Sequence, residues 1–258
     1  MTLRPKSAEE IEKMRAAGRV VAEVLAHLHP MCRPGVTTGD LDAEAVRLME
    51  ARGARSLFRG QPHPRGGRVY PGNICVSLNE ELVHGIPGPR EIREGDVVSI
   101  DIGVEKDGWC GDAARTFAVG EVPERVRDLL RTTEGALDLV AREARAGVFW
   151  SAVAGQIEAL VCRAGFAVVT DYVGHGIGRR MWEEPRVPNF VGRDMAREDF
   201  LLAEGLTLAV EPMVNLGRRE VRETGDGWTV VTVDGKPAAH FEDTFVIRRE
   251  GAEPLTRL

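Results

Sequence analysis

The chain has 258 residues and 43% apolar content, enough for one large domain or two small ones. A net charge of −6 and a pI near 5.6 argue against nucleic acid as the main partner. Cys32, Cys75, Cys110 and Cys162 lack CxxC spacing, the start MTLRPKSAEEIEKM is too polar for a signal peptide, and no apolar run approaches the roughly 20 residues of a membrane helix. These features read as a cytoplasmic protein with reduced thiols.

Ser7 and Glu10 form a capping-box pattern ahead of a helical stripe of Ile11, Met14, Val21, Leu25 and Leu28. Arg33-Pro34-Gly35-Val36 breaks it. Thr37 then caps a second helix bearing Leu41, Ala45, Leu48 and Met49, which ends at Gly53. Residues 54 to 72, rich in Gly, Pro and Arg, read as a loop. Ile74 to Leu78 reads as a strand, and Glu81 to Gly88 as a strand end and turn.

Val97 to Phe117 reads as a hairpin with turn chemistry at Lys106-Asp107-Gly108. A loop of two or four residues centred on Lys106 and Asp107 pairs Asp101 directly with Asp112, both side chains on one face. Two carboxylates that close in an apolar strand need a positive partner, for which a divalent cation is the simplest candidate, although a solvated hairpin with two unrelated aspartates is as natural.

The pattern then recurs. Pro123 suits a first helical turn, followed by a stripe of Val126, Leu129, Leu130, Leu137 and Val140. Arg145-Ala146-Gly147-Val148 stands 112 positions after Arg33-Pro34-Gly35-Val36, and Val153, Ile157, Leu160, Val161 and Gly165 keep the same offset from the second helix. Strands are expected at Ala167 to Val173, Leu206 to Val214, Thr229 to Val233 and Ala239 to Ile247. A duplicated α+β unit follows, with repeats at about 7–119 and 123–247 and two sheets that face each other or merge.

Each half carries charges that strands should not hold. Glu211 ends the apolar run from Leu206, and Glu242 sits inside the strand-like stretch Ala239 to Phe245. His175 lies in Gly174-His175-Gly176-Ile177-Gly178, where glycines give room for backbone to approach a ligand. Singly, each has a dull explanation as a loop or solvated residue. Together, four carboxylates and one imidazole suit two hard-to-borderline divalent ions. Two metals about 3.5–4 Å apart share a hydroxide and polarise a carbonyl, the chemistry of metal-assisted hydrolysis.

Leu82-Val83-His84-Gly85-Ile86-Pro87, Asp101 with Gly111-Asp112, Gly174 to Gly178, Glu211-Pro212-Met213 and Glu242-Asp243-Thr244 resemble type I methionine aminopeptidase in order and spacing over nearly the whole chain. The resemblance implies the α+β pita-bread fold, with pseudo-twofold duplicated halves in a single catalytic domain, 1–258. It implies Asp101, Asp112, His175, Glu211 and Glu242 as ligands of two divalent ions (Co, Mn, Fe or Zn), Asp112 and Glu242 bridging. Glu211 would also move the proton of the attacking water, and His84 would hydrogen-bond the scissile amide. Tyr70, Cys75, Met181 and Trp228 would line the pocket for the methionine side chain. The reaction implied is removal of the initiator methionine from nascent proteins and peptides when the second residue is small.

Prolidases and aminopeptidase P share the metal site but carry an extra N-terminal domain, and only about a hundred residues precede Asp101 here. Steps of 36 residues from His175 to Glu211 and 31 from Glu211 to Glu242 leave no space for the helical insertion of type II enzymes. No zinc-finger extension precedes Ser7.

One position departs from the pattern. Trp182 stands before Glu183-Glu184-Pro185, where the family places a histidine expected to donate to the substrate carbonyl. Indole Nε1–H is a donor only. Trp182 therefore replaces that bond, weakens catalysis, or fills the pocket. Gly66-Gly67-Arg68-Val69 before Tyr70, and Met181 where an aromatic is usual, also admit a shifted side-chain preference, which pliable Met tolerates. The second reading is a catalytically impaired or specificity-shifted pita-bread protein that binds N-termini or a protein partner. Arginines at 179, 180, 186, 193, 197, 218, 219 and 222 suit a weak ribosome contact, although a solvated surface is the plainer reading. A monomer without membrane or specific nucleic-acid partners is expected.

Overall fold

Ser7 and Thr37 open the first two helices as their capping patterns require. In α1 (Ala8–Leu28) Ser7 and Glu10 bond reciprocally, and in α2 (Thr38–Ala51) Thr37 and Asp40 do the same. The computed structural model describes residues 3–193 and 195–258. Between the helices Gly35 takes φ +88°, and its N–H donates to Ile92 O. The second half repeats this with α3 (Glu124–Glu143) and α4 (Trp150–Arg163): Gly147 takes φ +88° and donates to Leu202 O. A left-handed residue at the same point of both breaks explains why glycine recurs there.

The strands are β1 (Arg55–Ser56), β2 (Cys75–Leu78), β3 (Glu81–Val83), β4 (Val97–Lys106), β5 (Trp109–Ala118), β6 (Ala167–Val168), β7 (Gly174–Gly176), β8 (Glu183–Val187), β9 (Thr207–Val210), β10 (Met213–Asn215), β11 (Val221–Glu223), β12 (Val230–Thr232), β13 (Ala238–His240), β14 (Asp243–Ile247) and β15 (Ala252–Pro254). In the first half β4 pairs with β1, β2 and β5, and in the second the order is β15-β14-β9-β7-β8. Two smaller sheets, β13-β10-β6 and β11-β12-β3, flank them. The helices cover the outer faces, each half closing its own apolar core, the first around Val21, Leu41 and Ile100 and the second around Leu137, Trp150 and Phe245. A third apolar cluster, including Met14, Tyr70, Ile177 and Met181, joins the halves. Each such side chain contributes about 1.5–3 kcal/mol on burial.

The two large sheets merge edge to edge where β5 meets the start of β14. Glu242 N–H donates to Ala114 O at 2.9 Å and Ala114 N–H to Glu242 O at 3.3 Å. On either side the backbones are held by threonine hydroxyls. Thr244 Oγ1 accepts from Asp112 N–H and donates to Asp112 O; Thr116 Oγ1 accepts from His240 N–H and donates to His240 O. This arrangement is twofold about the Ala114–Glu242 pair, so Asp112 and His240 occupy equivalent positions.

A buried clamp secures the junction. Arg115 donates to Glu242 O and to Asp243, which is fully buried and also takes Arg257 at 2.8 Å and Thr256 at 2.8 Å. Removing one partner of a buried ion pair strands the other. Arg115→Met is therefore expected to cost about 3 kcal/mol in urea unfolding; a loss under ~1 kcal/mol would mean that Arg257 and Thr256 satisfy Asp243 alone.

Three expected strands differ. Leu206 to Val214 is two strands in different sheets, divided at Glu211-Pro212, because Pro212 has no N–H for a ladder. Ala239 to Ile247 divides at Phe241-Glu242, where Glu242 leaves its sheet to pair with Ala114. Ala167 to Val173 is strand only at Ala167–Val168. Breaks at both glutamates turn their side chains out of the regular alternation.

Candidate metal centre

The β4–β5 hairpin closes one residue later than its turn chemistry suggested. Asp107 and Gly108 form the two-residue loop, with φ +51° and +76°, the left-handed pair that an Asp-Gly hairpin turn needs. Lys106 therefore pairs with Trp109, Gly103 with Asp112 and Asp101 with Ala114. The expected direct pairing of Asp101 with Asp112 is thus incorrect. The two remain on one face, offset diagonally by two residues, because Asp101 shares a face with Gly103.

The second half brings three groups to the same place. His175 is carried on β7, and its Nε2 lies 3.6 Å from Asp112 Oδ2 and 3.9 Å from Glu211 Oε1. Ligand atoms of Asp112, His175 and Glu242 all fall within 4.8 Å of one another. The glycines beside His175 serve packing between strands rather than ligand approach. A Cβ at Gly174 would stand 2.3 Å from Ala209 O, and one at Gly176 2.2 Å from Glu184 O. His175 Nδ1 is 2.8 Å from Gly176 O. A carbonyl only accepts, so Nδ1 carries the proton and the Nε2 lone pair faces the carboxylates, as a metal-ligating imidazole requires.

Burial raises the Asp101, Glu211 and Glu242 carboxyls well above the usual carboxylate range, and neighbouring carboxylates raise them further. Asp112 is also raised by burial, against the opposing pull of His175. Asp101 Oδ1, Asp112 Oδ1 and Glu242 Oε1 are buried without a hydrogen-bond partner. Orphaned, mutually repelling oxygens facing the His175 Nε2 lone pair fit divalent cations of hard-to-borderline character.

The sign of the pH dependence follows. Without metal, the native protein keeps protons on these carboxyls that the unfolded chain releases above about pH 4, so stability falls as pH rises toward the raised native values. Metal displaces those protons. The apoprotein's Tm is expected to drop between about pH 6.5 and pH 8, where the buried His84 and His240 are neutral whether folded or unfolded, and the Tm gain on adding Mn²⁺ to grow over the same range. A flat or rising apoprotein Tm in scanning calorimetry would contradict the clustering.

Asp101, His175 and Glu211 line an open cleft of about 960 Å³. Behind it is a smaller chamber of about 100 Å³ walled by Phe58, Tyr70, Cys75, Met181 and Trp228. Cys75 faces Asp101 across β2 and β4. Met181 and Phe58 press on Gly103, where a Cβ would stand 2.5 Å from the Met181 methyl. The Tyr70 hydroxyl donates to Gly85 O at 2.9 Å, and Trp228 Nε1–H to Arg68 O at 2.9 Å. His84 projects into the cleft from a left-handed backbone, φ +59°, strain of a kind that collects at working sites. Burial, then His63, pushes its imidazole down to about 4, which keeps it neutral.

Trp182 stands at the rim. Half of its surface (51%) is exposed, and its ring centroid is 6.3 Å from that of His175. It borders both cleft and chamber without closing them. The sequence reading passed over His240, although it lies two residues before Glu242. It is buried, its imidazole is pushed down to about 3 by burial and then His84, and Nε2 has no hydrogen-bond partner. A histidine inside the strand-like Ala239-His240-Phe241-Glu242 was the available signal.

Residues 12–249 match the profile of metallopeptidase family M24. The methionine aminopeptidase of Clostridium perfringens is 43% identical over 97% of both chains. The solved methionine aminopeptidase of Thermotoga maritima is 39% identical, with a TM-score of 0.91 and full coverage of both chains. The prolidase of Pyrococcus furiosus, 21% identical, has a TM-score of 0.78 over 98% of this chain and 65% of its own, a likeness of fold.

Proposed function

This chain belongs to metallopeptidase family M24, as a methionine aminopeptidase of the pita-bread fold, and from that we infer how its residues divide the work. The enzyme is a metal-dependent hydrolase acting on N-terminal methionine; its relatives favour this over the reading as a binding-only protein. No helix among the described residues is long and apolar enough to cross a membrane. We propose that it acts in the cytoplasm on nascent chains as one catalytic domain, 1–258, with repeats at about 7–119 and 123–247. A weak ribosome contact through the second half's arginines, and a monomeric state, belong to the same proposal.

Asp101, Asp112, His175, Glu211 and Glu242 would hold two divalent ions. When bound, the ions supply Lewis acidity toward the scissile carbonyl and lower the pKa of water at neutral pH. The side chains do the rest. Phe58, Tyr70, Cys75, Met181 and Trp228 take the thioether side chain in the small chamber. Asp101 borders that chamber and offers a carboxylate to the terminal amine. Neutral His84 hydrogen-bonds the scissile amide. Glu211 would accept the water's proton and return it to the leaving amine.

The convergence of Asp112, His175 and Glu242 beside a small, mainly apolar chamber carries this reading. A digest of a peptide library by the Mn²⁺- or Co²⁺-loaded protein tests it. Release of N-terminal Met, fastest before Ala, Gly or Ser, is expected. Release of no N-terminal residue from any peptide, or preference for a large second residue, would overturn it.

A further inference from the structure

The two oxygens of Glu211 face different nitrogens. Oε1 lies 3.9 Å from His175 Nε2, on the side of the ligand cluster, whereas Oε2 lies 3.8 Å from Nε2 of His240. Glu242 Oε2 is slightly farther from His240, at 4.0 Å. His240 is almost fully buried, yet that nitrogen has no partner. Its backbone is pinned on both polar groups by Thr116, which fixes where the imidazole starts. In the twofold of the β5–β14 junction it stands where Asp112 stands in the other half. A neutral imidazole has one N–H, and the surrounding carboxylate oxygens can only accept.

We propose that His240 is a positioning residue for Glu211: its Nε2–H donates to Oε2, leaving Oε1 for the cation and holding Oε2 at a defined angle for proton transfer. The present separation is about 1 Å beyond a hydrogen bond. The proposal rests on the role of Glu211 given above. It extends that role by naming what fixes the carboxylate, as partners behind metal-binding groups commonly do.

His240→Leu and His240→Gln separate this from simple packing, because Gln keeps an N–H donor and Leu does not. Three readouts are needed: kcat and KM on a Met-Ala-Ser peptide, Co²⁺ affinity and visible spectrum, and Tm. The Leu variant is expected to lose about 10–100-fold in kcat with little change in KM, and to bind Co²⁺ more weakly with an altered d–d band. The Gln variant is expected to regain most of both. Equal activity and equal spectra in Leu, Gln and wild type would overturn the proposal. So would equal loss in Leu and Gln accompanied by a lowered Tm, since that marks a packing role. A wild-type protein that neither binds Co²⁺ nor releases Met would instead remove the assignment of Glu211 itself, a result recognisable without either variant.

Discussion

Asp112→Ala is expected to lower kcat/KM for a Met-Ala peptide by on the order of 10³–10⁴, the scale of a lost general-base or Lewis-acid contribution. Asp112 lies in the first half of the chain while His175 and Glu242 come from the second, and only Asp112, His175 and Glu242 bring ligand atoms mutually within 4.8 Å among the described residues. Removing its carboxylate also relieves repulsion on Asp101, Glu211 and Glu242, for each of which Asp112 is a cause of the raised pKa. The variant's apoprotein should therefore be no less stable than wild type and lose less stability as pH rises. Activity should fall while the fold persists. Activity within about tenfold of wild type would remove Asp112 from the centre.

Trp182→His is expected to raise kcat by about 10²–10³, the worth of one donor aimed at developing negative charge. The resemblance puts a histidine at this position, and the indole here is half exposed at the rim. An imidazole in its place reaches the cleft with a smaller ring and donates from either nitrogen. Cobalt stoichiometry should not change, because Trp182 carries no ligand atom. An unchanged or lower kcat would show that indole Nε1–H already supplies the bond. A change confined to KM would assign Trp182 to substrate fit alone.

The residues that carry charge into apolar strands announced themselves. Glu211 and Glu242 were legible because a carboxylate is costly at such positions unless something compensates it, and the 112-position offset exposed the duplication. Register was not legible to the same degree. Choosing Lys106-Asp107 over Asp107-Gly108 as the turn moves Asp112 two places relative to Asp101, and only the left-handed pair of φ angles decides it. The breaks at Glu211 and Glu242 were missed because local β propensity runs through both. Pro212 and the cross-sheet pairing of Glu242 with Ala114 override it. His240 was missed for a different reason: its place is defined by Thr116 from the other half, 124 residues away, a contact that no local pattern encodes. The glycines around His175 were visible, but their role depends on strands β8 and β9 lying against them.

An anomalous difference map from crystals loaded with Mn²⁺, recorded at the manganese edge, tests the metal centre most directly. Two peaks are predicted, both among the side chains of Asp101, Asp112, His175, Glu211 and Glu242. No peak among these side chains after loading, or peaks only elsewhere on a protein that still releases methionine, would contradict it.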